Sequence, residues 1–287
     1  MKRVLITGKN SYIGNSFKKW VSQWPEDYET KSISLRDDKW RNYDFSKFDV
    51  ILHCAGIAHV STNPKMEKEY YRINRDLAIE VAKKAKSEEV KQFIFMSSII
   101  VYGESGKINE MKVIDTDTLP NPSNFYGDSK LQAEQGIQSL ESNDFKVVIL
   151  RPPMIYGKGS KGNYRKLSKL ARISPVFPDI ENQRSMLHID NLCEFLRLLI
   201  DNEDKGVFFP QNSEYVKTSN LVQTIARVNG KKIILVRHTD CLFKLLGKKL
   251  HIINKLFGNL VYEKSMSYYV ENYIVNNFEE SIKLSEK

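Results

Sequence analysis

The sequence predicts an α/β chain, a doubly wound parallel sheet with a second, smaller α-rich lobe. Two observations carry that prediction. Short apolar runs alternate with helix-length amphipathic stretches through the first 157 residues, and small or polar residues recur just after each run. Strands that alternate with helices pair in parallel, and such sheets gather their ligands at the carboxyl ends of the strands.

The first unit is Val4-Leu5-Ile6, ending in Thr7-Gly8, with Ile13, Phe17, Trp20 and Val21 following at helical spacing. That reads as strand, glycine turn and helix, the opening of a dinucleotide-binding fold. Gly8 supplies the tight turn, Gly14 lets the helix approach the sheet, and the helix N-terminus faces a pyrophosphate. The second strand is expected over Thr30 to Leu35, which puts Ser34 at its end and Arg36 just beyond. An arginine there suits the extra phosphate of NADP, whereas an acid would hold the ribose diol of NAD. Asp37 and Asp38 lie so close that a register shift of two or three residues reverses the preference.

Asp49 to Cys54 is a buried-type strand followed by Ala55-Gly56, over which a cofactor can lie. Residues 66–89 carry Tyr70, Ile73, Leu77, Val81 and Ala85 at helical spacing. Asn74, within that helix, is either a plain interior polar residue or part of a proton relay. Phe93 to Met96 is a further strand ending in Ser97-Ser98, and Val147 to Leu150 another ending in Arg151-Pro152-Pro153. Beyond Gly157 come loops with Gly159, Gly162, Pro175 and Pro178, then Arg184 to Asp190, a helix over 190–203 and a returning strand at 206–209. The remainder reads as a small α-rich lobe. Within it, 242–260 mixes four lysines with Leu, Phe and Ile, as an interfacial helix does, although Gly247 and Gly258 interrupt it and favour a lid or packing helix.

Tyr126 and Lys130 stand four residues apart in a proline-free stretch, so a helix puts them on one face. A phenol beside a fixed ammonium has its anion favoured, and can then exchange a proton with an alcohol or alkoxide near neutral pH. The pattern also occurs by chance on exposed helices; the strand-end residues Gly8, Gly56, Ser98 and Pro153 lift it above chance.

Hydrophobic residues make up 41% and charged residues 28%, which excludes a disordered or fibrous chain. No apolar run approaches the ~18 residues of a membrane span, and no signal peptide precedes Val4, so a cytoplasmic location is expected. Cys54, Cys193 and Cys241 are scattered, and the five histidines do not cluster, which argues against disulfides and metal. His188 reads as structural. The net charge of +9 is spread along the chain without a nucleic-acid motif, and suits a phosphorylated small molecule or a membrane surface equally.

Thr7 to Gly14, His53 to Gly56, Asn74, Phe93 to Gly103, Tyr126 to Lys130, Leu150 to Gly157 and Arg184 to Asp190 together resemble the extended short-chain dehydrogenase/reductase family, of NAD-dependent epimerase/dehydratase type. Its branch of capsule and O-antigen enzymes that reduce a UDP-4-keto-6-deoxy-N-acetylhexosamine looks most similar. The resemblance implies a Rossmann-type domain over 1–157, completed by roughly 187–210, and a sugar-nucleotide lobe from 158–186 and 211–287. It implies Tyr126 as acid/base, Lys130 on the nicotinamide ribose and as the group depressing the tyrosine pKa, and Ser98 on the reacting sugar oxygen. Gly8, Asn10, Ser11, Tyr12 and Ile13 would cradle the pyrophosphate. Arg36 would meet the adenosine end, Cys54, Ala55, Gly56 and Asn74 the middle of the cofactor, and Pro153 and Met154 the nicotinamide. Asn163 and Arg184 would bind the diphosphate of a UDP-sugar. Ser11 replaces the family's middle glycine and either crowds the pyrophosphate or hydrogen-bonds it. Ile99 and Ile100 replace the Asp-Glu pair of the dehydratases, which ranks dehydration low. Reduction with NADP, or with NAD, is the expected chemistry, with UDP-hexose 4-epimerisation as the alternative, in an enzyme that can form a homodimer.

Overall fold

The computed structural model describes residues 1–58, 63–106, 110–237 and 256–287. Of the stretch read as an interfacial or lid helix, residues 242–255 lie outside the described residues, as do Cys241, His59, His238 and His251. Leu260, at its end, is buried.

In chain order the elements are β1 (Lys2–Thr7), α1 (Tyr12–Val21), β2 (Tyr28–Ile33), β3 (Val50–His53), α2 (Glu67–Tyr70), a π-helical segment (Tyr71–Leu77), α3 (Ala78–Ser87), β4 (Gln92–Met96) and β5 (Val113–Ile114). There follow α4 (Phe125–Gln138), β6 (Lys146–Leu150), β7 (Met154–Tyr156), α5 (Asn163–Ile173), β8 (Val176–Pro178), β9 (Met186–His188), α6 (Ile189–Asp201) and β10 (Gly206–Phe208). The last are α7 (Thr218–Val228), β11 (Ile234–Val236), β12 (Val261–Tyr262) and α8 (Phe278–Glu286). Six strands form the central sheet in the order β10-β6-β4-β3-β1-β2, and every neighbouring pair is parallel.

Parallel strands covered on both faces read as continuous apolar runs, because successive side chains enter opposite cores. Val4, Ile6, Leu52, Ile94 and Val148 pack with Phe17 of α1 and with Leu192 and Leu196 of α6 on one face. Leu5, Ile51, Phe93, Phe95 and Val147 pack with Val81 and Ala85 of α3 and with Ala133 and Ile137 of α4 on the other. A third core, around Tyr156, Tyr164, Leu167, Leu221 and Ile225, joins β7, α5 and α7 in the C-terminal half.

The second strand begins and ends two residues earlier than the sequence suggests. The ladder runs from Lys2↔Tyr28 to Thr7↔Ile33, and the Ile33 carbonyl accepts the amides of Gly8 and Lys9, each at 3.0 Å. Ser34 is thus the first residue past the sheet. The helix after β3 is not uniform either: its central turns are π-helical, with Asn74 fully buried within them.

Candidate active site

The glycine turn after β1 places Gly8 at φ +86°, and a Cβ there would meet the Ala55 amide nitrogen at 3.0 Å. A side chain at Gly8 would therefore drive the ends of β1 and β3 apart. Ser11 is the N-cap of α1: its Oγ accepts from the Gly14 amide at 3.1 Å. The hydroxyl thus does structural work in the turn that the sequence left as crowding or bonding the pyrophosphate. The first turn carries no acidic residue, and the amides of Tyr12 and Ile13 have no acceptor among the described residues. Such an N-terminus suits an anion, and this donor set fits a dinucleotide diphosphate. Asn10 is exposed beside it. The Tyr12 hydroxyl is buried without a partner among the described residues, close to Gly157.

At the end of β3, the Cys54 thiol lies beside Ser11, and burial pushes it up to about 12, so it is neutral. Gly56 is exposed, with the Asn74 side-chain oxygen and Lys130 Nζ at 3.0 and 3.5 Å from where its Cβ would stand. The Asn74 amide grips both backbone groups of Ile57, accepting its N–H at 2.9 Å and donating to its carbonyl at 3.0 Å. Asn74 therefore shapes the floor containing Ala55 and Gly56.

Arg36 stands exposed beyond β2, its side chain without a hydrogen bond or ion pair among the described residues. The neighbouring carboxylates are engaged locally: Asp37 caps a short 3-10 turn by accepting the Lys39 amide at 3.2 Å, and Asp38 pairs with Arg41 Nε at 3.1 Å.

Ser98 ends the chain segment after β4, and its Oγ accepts from the Ile100 amide at 3.3 Å. Opposite it, α4 begins at an N-cap, Asn124, whose side chain accepts from Gly127 at 3.0 Å. That cap sets Tyr126 in the first turn, facing Ser98 and packed edge-on against Tyr70 at 5.7 Å between ring centroids. Gly127, which the sequence reading passed over, touches the Ser98 turn directly: a Cβ there would stand 2.7 Å from the Ile100 carbonyl oxygen.

Lys130 is buried on the same helix, and its Nζ donates to the Met96 carbonyl at 2.7 Å above the Phe95 ring. Burial pulls its pKa down to about 8, against the opposing charge of Glu134. The expected lowering of the Tyr126 pKa by Lys130 does not appear. Burial dominates and pushes the phenol up to about 12, and the hydrogen bond from Ser98 is what acts in the other direction. Desolvation outweighs a cation whose own hydrogen bond points to β4.

Beyond β6, Pro153 is buried and Met154 opens a cavity that also includes Asn163, Arg184 and Thr218. Asn163 is the first residue of α5, and Arg184 donates from Nη1 to the Gly258 carbonyl at 3.2 Å. Burial lowers the Arg184 pKa to about 10, so it remains a cation at neutral pH. Tyr126, Ser98 and Lys130 thus meet at one strand end, the α1 amides and Gly56 lie on the same edge of the sheet, and Met154, Asn163 and Arg184 share one cavity. Glu134 and Arg151, buried and paired behind the triad, carried no signal in the sequence, because seventeen residues of separation match no motif.

A sequence model of the NAD dependent epimerase/dehydratase family matches residues 4–209. A Vibrio cholerae protein described as UDP-glucose 4-epimerase is 29% identical over 286 residues, covering 90% of this chain and 86% of that protein. Among solved structures, UDP-glucuronic acid 4-epimerase from Bacillus cereus in complex with NAD superposes with a TM-score of 0.76 at 17% identity, over 99% of this chain and 95% of that one. The dTDP-4-dehydrorhamnose reductase from Bacillus anthracis str. Ames in complex with NADP gives a TM-score of 0.71 at 20% identity, over 98% of each chain. At those identities the two structures establish a shared fold.

Proposed function

Because the chain belongs to the NAD dependent epimerase/dehydratase family, we propose that it is an NAD(P)-dependent nucleotide-sugar enzyme that reduces the 4-keto group of a UDP-4-keto-6-deoxy-N-acetylhexosamine. The observation that carries the reductive reading is the end of β2. Among the described residues Arg36 stands uncommitted there while Asp37 accepts the Lys39 amide and Asp38 pairs with Arg41, which supports the phosphate of NADP over the bare ribose of NAD. The state of Tyr126 agrees. A phenol held protonated by burial is a proton donor at neutral pH, the form that reduction of a ketone requires.

In this reading Tyr126 Oη gives its proton to the oxygen at C4, and Ser98 holds that oxygen by a hydrogen bond as its charge develops. Lys130 binds the nicotinamide ribose. A bound NADPH supplies the hydride, and the overall change is ketone, NADPH and a proton to alcohol and NADP. Arg184 and Asn163 hold the diphosphate, where a guanidinium fork matches phosphate oxygens. Ile99 and Ile100 beside Ser98 can move no proton, which leaves elimination of water without its acid and base.

UDP-hexose 4-epimerisation is the second reading, favoured by the Vibrio cholerae relative, whose likeness extends over most of both chains. It uses the same three side chains but must return the hydride to the opposite face of C4. The test is direct. Purified protein is expected to oxidise one NADPH per UDP-4-keto-6-deoxy-N-acetylhexosamine, and to prefer NADPH over NADH. Arg36→Ala should narrow that preference by about ten- to a hundredfold, the value of a charge-assisted phosphate contact. Protein that carries tightly held NAD and interconverts UDP-hexoses without net cofactor use would establish the epimerase instead.

A further inference from the structure

We propose that Glu134 is a positioning residue for this site: it ties the three catalytic segments into one frame and supplies the counter-charge that keeps Lys130 an ammonium. Glu134 is fully buried on α4, one turn beyond Lys130. Its carboxylate accepts from the Ser97 hydroxyl and from the fork of Arg151, with Nε at 3.2 and 3.1 Å and Nη2 at 2.6 Å. Ser97 directly precedes Ser98, and its amide is fixed to the Leu150 carbonyl at 2.7 Å. Arg151 directly precedes Pro152, whose carbonyl accepts the Ile99 amide at 3.0 Å, just after Ser98. One carboxylate therefore joins α4, which carries Tyr126 and Lys130, to the ends of β4 and β6.

A buried ion pair is expensive to desolvate, and an apolar pair of similar volume usually stabilises a fold as well or better. Stability alone therefore gives little reason for this pair. The charges around Lys130 give a better one. The titratable groups around it are Glu134 from α4, His53 from β3 and Cys54 just beyond β3, with Tyr126 one turn earlier on α4. Burial holds His53 neutral, with its pKa down to about 3, and leaves the Cys54 thiol and the Tyr126 phenol protonated at about 12. Glu134 is then the anion of the set. It opposes the burial that lowers Lys130 to about 8, so its removal lowers the lysine further.

The inference rests on the dinucleotide-binding part of the proposed function, and its test needs no sugar. NADPH affinity is measured against pH by nicotinamide fluorescence for wild type, Glu134→Gln and Glu134→Gln/Arg151→Met, with melting temperature recorded in parallel. In wild type, affinity should fall as pH rises through about 8. In Glu134→Gln that midpoint should move down by roughly one unit, because the lysine has lost its counter-charge. The double variant should recover the melting temperature lost by the single one while keeping the lower midpoint. A single variant with an unchanged midpoint, or a double variant that restores midpoint and melting temperature together, overturns the inference, since Glu134 would then serve only to neutralise Arg151. Should the single variant not fold, the double variant compared with wild type decides the same question. A protein that binds NADPH but turns over no UDP-4-keto sugar sinks the proposed reaction and leaves this titration standing. One that binds neither NADPH nor NADH at any pH sinks both.

Discussion

Tyr126, half-buried, and Lys130, buried, are groups whose charged forms are penalised, and each penalty has a measurable consequence. Tyr126→Phe keeps the ring against Tyr70 and removes only the transferable proton. Turnover should fall by roughly 10²–10⁴-fold, with melting temperature and NADPH affinity unchanged in parallel assays; near wild-type turnover would remove Tyr126 from the chemistry. For Lys130 the effect is on stability. Its pKa is about 8 in the folded chain against 10.5 ordinarily. Between those values the unfolded chain binds the extra proton, so this group's contribution to stability rises with pH through that window and its cost is greatest below pH 8. Lys130→Met should therefore melt higher than wild type at pH 7, by the equivalent of about 3 kcal/mol at most, and the difference should shrink as pH approaches 10. A variant less stable at pH 7 would show that the hydrogen bond to Met96 outweighs the buried charge. The sequence identified Tyr126 and Lys130 as a pair from their spacing. It misjudged the sign of the phenol's shift because burial by Tyr70 and the Ser98 turn depends on packing between segments far apart in the chain.

Elements bring these residues together, and the closest junction lies between the first turn of α4 and the turn after β4. Gly127 permits it. A methyl group there would fall within 2.7 Å of the Ile100 carbonyl oxygen, a backbone atom that cannot rotate aside. Gly127→Ala should push the helix start away from Ser98 and lower turnover by at least tenfold, while circular dichroism and cofactor affinity stay close to wild type. Wild-type turnover in that variant would mean that the junction can relax without separating Tyr126 from Ser98. The central strands were legible because both faces are buried and every residue of β3 and β4 is apolar or pinned. The second strand was placed two residues late because Tyr28 to Ile33 exposes Glu29 and keeps Thr30, Ser32 and Ile33 only half-buried, which blurs its apolar pattern. The π-helical turns around Asn74 were invisible for the opposite reason, since the apolar spacing on either side reads as one regular helix.

Across the whole molecule, the cavity containing Met154, Asn163 and Arg184 lies within the C-terminal half, lined from β7, α5, β9 and α7. Arg184→Ala should raise KM for the UDP-sugar by about ten- to a hundredfold and leave NADPH affinity unchanged. A loss of both would place Arg184 in the framework of the fold rather than on the ligand. The change of texture after Gly157, beyond which the third core is built, was readable in the sequence. How Leu260 and Tyr262 return to pack beside Tyr102 was not, because contacts across more than a hundred residues leave no local pattern. The all-parallel ladder has one further consequence. No neighbouring pair in it can close through a tight hairpin, so each pairing must wait for a crossover segment to order. The edge strand β10 joins β6 only after the 55 residues 151–205, and β1 is enclosed only when β2 and β3 have both arrived on either side. Chain entropy is therefore spent before contacts return it, and the molecule belongs among slow folders whose half-built sheets expose apolar strand edges.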